Sequence, residues 1–113
     1  MTELLEYLND IIDAGQKIEQ YTRGMDYEDF ASDQKTVDAV LRNFEVIGEA
    51  AKNVPNEIYD KYSEIPWSEM AGMRDKLIHG YATIELRIVW MTIQEEIPTL
   101  IPQVKVVQED LTK

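Results

Sequence analysis

The stretch VDAVLRNFEVIGEAAKNVP, residues 37–55, decides the fold of this chain. Its apolar positions are separated by gaps of three, one, three, three, one, three and three residues, which places them on one face of an α-helix. These positions are Val37, Val40, Leu41, Phe44, Ile47, Gly48, Ala51 and Val54. Pro55 ends the pattern, because proline has no backbone N–H for the helical hydrogen bonds. The stretch predicts a long amphipathic helix that packs against other helices.

Three further segments show the same periodicity. An N-terminal helix is predicted over the apolar stripe of residues 4–18. A third helix is predicted from Pro66 to about Gly80, because proline suits the first turn of a helix and glycine the position after its end. A last long helix is predicted from Thr83, with Pro98 and Pro102 closing it.

The segments between these helices are predicted to be irregular. Residues 21–30 combine Gly24 with several acids and indicate a loop or a frayed turn. Residues 55–67 indicate a connector with one helical turn, and residues 103–113 a loosely ordered tail. No long alternating strand pattern interrupts the helical segments. The sequence therefore predicts an all-α bundle of four to five helices in a single domain, residues 1–113.

The last predicted helix carries apolar residues on two faces. Ile84, Ile88 and Met91 lie apart from its main stripe. This is more apolar surface than a terminal helix of one small bundle buries, so we expect a partner to cover it.

Composition excludes several classes of protein. Without cysteine, the chain has no disulfide and no thiolate metal site. Its net charge of −11 argues against sequence-independent binding to long DNA, which needs a broad basic surface. No apolar run approaches the roughly 20 residues of a membrane span. The N-terminal residues also lack the basic region of a signal peptide. We expect a cytoplasmic protein without membrane contact.

The octapeptide RDKLIHGY, residues 74–81, contains the only histidine of the chain. Histidine exchanges protons near neutral pH, and arginine binds phosphate with a permanent charge. Together, Arg74 and His79 suit the attack of a ribose 2′-hydroxyl on its own phosphate, a reaction that needs no metal. Asp75 could orient the imidazole, and Tyr81 adds a hydroxyl.

Helix geometry limits this hypothesis. Residues five positions apart, such as Arg74 and His79, are separated by about 140° around a helix axis. The two side chains could still reach one ligand if the helix loosens near Gly80, or if the helix lies along a groove. A symmetric dimer that places two such helices side by side would supply that groove. Simpler interpretations stay open: His79 could stabilise a helix C-terminus, and Arg74 could be a solvated surface charge. If a local positive patch exists, its candidates are Arg42, Lys52, Arg74 and Lys76.

Arg74, His79 and Tyr81 form an Arg-x4-His-x-Tyr sequence that resembles the signature of HepT-like toxins. These are HEPN-domain proteins of bacterial and archaeal HEPN/MNT toxin–antitoxin pairs. Three longer pieces show the same likeness in the same order along the chain. They are VLRNFEVIGEAAKNVP (40–55), IPWSEMAGMRDKLIHGY (65–81) and VWMTIQEEIPTL (89–100). The resemblance therefore spans most of the sequence.

The resemblance implies a HEPN-type helical homodimer with a metal-independent ribonuclease site at the dimer interface and no cofactor. Carried over by position, Arg74 and His79 become the catalytic pair that cuts RNA. Tyr81 becomes the residue that a cognate MNT nucleotidyltransferase antitoxin AMPylates. The family commonly has asparagine after the arginine, and Asp75 departs from this pattern. The alternatives are a non-catalytic subunit that binds nucleotide or partner in a nucleotidyltransferase complex, and a purely structural helical dimer.

Overall fold

Helices make up most of the described part of the chain. The computed structural model describes residues 2–79 and 85–113, and of residues 74–79 it describes the backbone only. Within these ranges there are seven helices and no strand. They are α1 (Thr2–Thr22), α2 (Tyr27–Ala31), α3 (Gln34–Lys52), α4 (Asn56–Lys61), α5 (Trp67–His79), α6 (Leu86–Glu95) and α7 (Ile97–Leu111). The predicted all-α class is confirmed, with seven helices in place of the four or five expected.

Helix α3 lies at the centre of the bundle. It packs against α1 on one side and α5 on the other, and α1 also packs against α7. The predicted apolar stripe of residues 37–54 is buried along its whole length. The approach of α1 to α7 is close at Gly15, where a Cβ atom would lie 3.0 Å from Cγ1 of Ile101. One continuous apolar core thus joins the long helices and holds α5 against α3.

Helix α2 lies in the segment that was predicted to be a loop. Its N-terminus is closed by a reciprocal pair of hydrogen bonds. The Asp29 backbone N–H donates to the Asp26 side chain at 2.8 Å, and the Asp26 N–H donates to the Asp29 side chain at 3.2 Å. This capping box stabilises a single short turn of helix. Phe30 anchors it, because its buried ring packs 5.3 Å from the ring of Trp90 on α6.

The end of the bundle also differs from the prediction. The last helix is divided at Glu96, where α6 ends and α7 begins. Pro98 does not close a helix, because it lies in the first turn of α7, where its missing N–H costs little. Helix α7 then continues through Pro102 to Leu111, so the predicted loose tail is helical. Burial of the apolar residues 104 and 107 compensates for the hydrogen bond that Pro102 cannot donate.

The position of α4 and the start of α5 agree with the sequence prediction. The single helical turn expected between residues 55 and 67 is α4, and α5 begins directly after Pro66. The predicted start of the last helix at Thr83 lies outside the described residues. In the described part of the chain, no helix combines the length and the hydrophobicity that a membrane crossing requires.

Candidate functional site

The predicted site residues Arg74, Asp75 and His79 all lie in the C-terminal half of α5. Their side chains, and the whole of Tyr81, lie outside the described residues. The backbone is α-helical as far as His79, so Arg74 and His79 are about 140° apart around the axis and about 7.5 Å apart along it. Asp75 and His79, four residues apart, share a face. Positions 75 and 79 therefore fall on one face of the helix, and position 74 falls on another.

The start of α5 is fixed by Trp67. Its indole is buried, with 2% of the residue exposed. Nε1 donates a hydrogen bond to the carbonyl oxygen of Tyr62 at 3.1 Å, which satisfies the only polar atom of the ring. The ring also stacks on that of Tyr59, with centroids 5.6 Å apart and planes inclined by 8°. Both contacts tie the first residue of α5 to the segment that includes α4.

The two tyrosines tie that segment to the rest of the bundle. The Tyr59 hydroxyl donates to the carbonyl oxygen of Ala51 at 2.6 Å, near the end of α3. The Tyr62 hydroxyl donates to Oδ2 of Asp110 on α7 at 2.9 Å. This short segment therefore links α5 to α7 and adds to the direct packing of α5 against α3. The sequence predicted only a connector with one helical turn here, and its pattern does not indicate the role of these aromatic residues.

These environments change the acidity of both phenols. Burial, the hydrogen bond to Asp110 and the negative charges of Asp110 and Glu64 raise the pKa of Tyr62 above its ordinary value. Burial also raises the pKa of Tyr59. Both groups are thus held in the neutral, hydrogen-bond-donating form.

The described residues do not form a positive patch around Arg42. Its Nη1 atom lies 3.4 Å from Oε2 of Glu45, and Asp10 and Glu49 line the same surface depression. The other candidates on α5, Arg74 and Lys76, have side chains outside the described part. Within that part there is also no group of three or more histidine, aspartate or glutamate residues arranged to hold a metal ion.

Helix α6 has an exposed apolar face, as the sequence predicted. Ile88 is 60% exposed and Met91 is 53% exposed, one turn apart. The third predicted member, Ile84, lies outside the described residues. On another side of the same helix, Arg87 lies with its guanidinium carbon 4.2 Å from the ring centre of Tyr27. Helix α6 therefore combines one face packed on the bundle with one available to a partner.

A groove of about 290 Å³ lies between α3, α5 and the junction of α6 with α7. Met73, the residue before Arg74, forms part of its lining, so the groove reaches the half of α5 that carries the predicted site. Its floor is apolar. The floor residues are Phe44, Ile47, Pro66, Met70, Met73, Ile97 and Leu100. The periodicity of the sequence does not predict this groove.

The sequence profile described as "Ribonuclease HepT-like" matches residues 11–107, which include most of α1 and all of α2 to α6. The chain belongs to the HepT-like ribonuclease family. This confirms the resemblance seen in the sequence. The matched range contains Arg74, Asp75, His79 and Tyr81.

Similar proteins agree with this assignment. The chain is 52% identical over 95 residues to a protein of Thermococcus cleftensis named "Probable ribonuclease HepT", covering 84% of this chain and 86% of the relative. It is 46% identical over 99 residues to a protein of Caldanaerobacter subterraneus subsp. tengcongensis named "Putative RNase", covering 88% of each. No solved structure gives a significant match.

The raised pKa of Tyr62 predicts a loss of stability in alkali. A phenol whose pKa is higher in the folded protein stabilises the fold fully below its unfolded value of about 10. That stabilisation is lost as the pH rises through the folded-state pKa. We expect the free energy of unfolding of the wild type to fall more steeply above pH 10 than that of Tyr62→Phe. Urea denaturation across the alkaline range measures both slopes.

The control for this comparison is Tyr21→Phe, which removes the hydroxyl of an exposed tyrosine. It should follow the wild-type curve. Parallel curves for the wild type and Tyr62→Phe would contradict the role assigned to the hydrogen bond with Asp110.

Proposed function

We propose that this protein is a toxin endoribonuclease that cuts RNA without a metal ion, in the cytoplasm, as a homodimer. The observation that carries the proposal is the family match over residues 11–107, within which Arg74 and His79 occupy the end of one helix. Arginine and histidine supply the two functions that RNA cleavage needs, charge stabilisation and proton transfer.

The proposed reaction is an internal phosphoryl transfer. The ribose 2′-oxygen forms a bond to the adjacent phosphorus while the bond from phosphorus to the 5′-oxygen breaks. His79 accepts the proton of the 2′-hydroxyl, and a second imidazolium, His79 of the other subunit, donates a proton to the departing 5′-oxygen. Arg74 stabilises the extra negative charge on the phosphate oxygens. The products are a 2′,3′-cyclic phosphate, which water can open to a 3′-phosphate, and a 5′-hydroxyl.

Asp75 is proposed as a supporting residue. It lies one turn before His79 on the same face of α5. A carboxylate in that place favours the imidazolium form and fixes the orientation of the ring. Its negative charge also weakens the attraction of phosphate, so its two effects on cleavage oppose each other.

The geometry of α5 supports the proposed dimer. Because Arg74 and His79 are about 140° apart on one helix, a single helix does not present both to one phosphate. A two-fold axis beside α5 would bring the arginine of one subunit towards the histidine of the other. The exposed face of α6, Ile88 and Met91, supports such an axis, since α6 begins only seven residues after His79. We propose that a second copy of the chain covers this face.

Neutralisation is proposed to occur at Tyr81. A cognate MNT nucleotidyltransferase would transfer AMP from ATP to the Tyr81 hydroxyl, with pyrophosphate as the leaving group. Tyr81 is two residues from His79, so the added nucleotide would bring negative charge and bulk to the mouth of the RNA site. Both effects oppose the binding of an RNA phosphate.

Removal of the imidazole should abolish cleavage. With a chelator present, His79→Ala and Arg74→Ala should each cut RNA at least about 100-fold more slowly than the wild type, because each removes one group that acts in the transition state. Gel analysis of a labelled RNA measures the rates, and circular dichroism checks the helical content.

Lys105→Ala is a matched control for Arg74→Ala, because it removes one cation from the exposed surface of α7. It should cut at the wild-type rate. A folded His79→Ala dimer that cuts normally would falsify the catalytic assignment. RNA left uncut by every form, with nucleotide affinity lost in Arg74→Ala, would instead favour the non-catalytic nucleotidyltransferase subunit.

A charge on the exposed face of α6 should dissociate the dimer. Ile88→Glu places carboxylates into the proposed interface, where they would be desolvated without a partner. We expect a monomer by analytical ultracentrifugation, and lost cleavage because the site needs both subunits. Val106→Glu is the control, since Val106 is an apolar residue of α7 that is 52% exposed. A dimer that persists in Ile88→Glu would exclude this face.

Modification of Tyr81 is tested by intact mass. Co-expression with a cognate MNT enzyme should add AMP-sized mass increments to the wild type and suppress its cleavage of RNA. Tyr81→Phe lacks the accepting hydroxyl and should keep its unmodified mass. If Tyr81→Phe gains the same increments, another residue is the acceptor.

A further inference from the structure

The groove between α3, α5 and α7 has an apolar floor and an acidic rim. Four exposed glutamates border it: Glu64, Glu69, Glu95 and Glu96. In the described part of the chain, no lysine or arginine lines the groove, and none of the four forms an ion pair. Among the described residues, the rim is therefore a concentration of negative charge around an apolar surface.

The division of the last helix produces this arrangement. Helix α6 ends at Glu95 and α7 begins at Ile97, with Glu96 between them. The two glutamates at the junction remain in solvent, while Ile97 and Leu100 turn into the floor. On the α5 side of the groove, Glu69 is exposed and the next residue, Met70, is buried. Acidic residues thus stand on opposite edges of one apolar cleft.

The size of the groove favours side chains over a complete small molecule. Its volume of about 290 Å³ is at the lower limit of the roughly 300–1,000 Å³ typical of ligand pockets. Polar residues in its lining, other than the four glutamates, are Thr92, Thr99 and Gln103. Apolar clefts of this kind accept anchor side chains from one face of a helix. Methionines such as Met70 and Met73 adapt readily to such anchors.

Charge identifies the class of partner. Phosphates of a nucleic acid would be repelled by the four carboxylates. A protein segment with lysine or arginine beside its apolar anchors would be attracted, and such complementarity raises both specificity and association rate. We infer that this groove binds a basic, amphipathic helical segment of a partner protein. This proposal does not depend on Arg74, His79 or Tyr81. It can therefore be tested independently of the ribonuclease proposal.

The test uses three labelled synthetic peptides and fluorescence anisotropy with the full chain. The first is an amphipathic helix with leucines along one face and lysines beside them. The second has glutamate in place of each lysine, and the third has alanine in place of each leucine. We expect only the first peptide to bind tightly, with an affinity that falls as salt is added.

Charge reversal at the rim should weaken that binding. Glu69→Lys combined with Glu95→Lys replaces two attractions by repulsions, and we expect an affinity about tenfold lower. The control combines Glu28→Lys with Glu109→Lys, two exposed acids outside the groove, and changes the net charge by the same amount. It should lower the affinity much less. Thermal melts of both variants check that they fold.

Three results would overturn the inference. Equal losses of peptide affinity in the rim variant and in the control would show that the peptide is attracted to the acidic chain as a whole. Tight binding of the alanine peptide would show that the apolar floor does not take part. The third result has two parts: the lysine–leucine peptide does not bind, and a labelled single-stranded RNA binds the wild type with an affinity that the rim variant changes. That result would assign the groove to nucleic acid.

Discussion

The burial of Trp67 is the contact on which the placement of α5 depends. One ring stacks on Tyr59, donates to the Tyr62 carbonyl and fills the core at the first residue of the helix. The two tyrosines then connect to α3 and α7 through hydrogen bonds of 2.6 and 2.9 Å. Because a helix is stiff, a fixed first turn and a packed middle determine where its last turn lies. The segment that carries Arg74 and His79 is thus positioned from its opposite end.

The net negative charge of the chain means that the proposed RNA cleavage requires a local binding site for phosphate. A protein with a net charge of −11 does not attract RNA by its overall field, so any binding must come from a local cluster of cations. The charge of Arg42 is partly offset by Glu45, whose Oε2 lies 3.4 Å from Nη1. A dimer that doubles the number of Arg74 and His79 residues in one cleft would provide such a cluster. Charge and helix geometry therefore both favour a site shared between subunits.

The two surfaces proposed for partners differ in chemistry. The exposed face of α6, with Ile88 and Met91, is apolar and suits an identical face on a second copy of the same chain. The groove beside α5 has an apolar floor with four carboxylates at its edge, which a second acidic chain would meet with repulsion. One protein can therefore dimerise through α6 and bind a different, basic partner through the groove.

The sequence by itself determined the helical class, the extent of α3, the short turn of α4, the start of α5 and the family. These depend on the spacing of apolar residues, on proline and on short motifs, all of which act within a few turns. It did not predict α2, because Asp26 and Asp29, which form its capping box, lie in a segment with several acids. It also did not predict that α7 continues past Pro102. Tertiary structure decided these features, and also the anchoring of Trp67 and the groove at Met73. These features depend on residues far apart in the chain, since Phe30 of α2 meets Trp90 and Tyr62 meets Asp110. Burial in a shared core outweighs the local preference for a loop or a helix end.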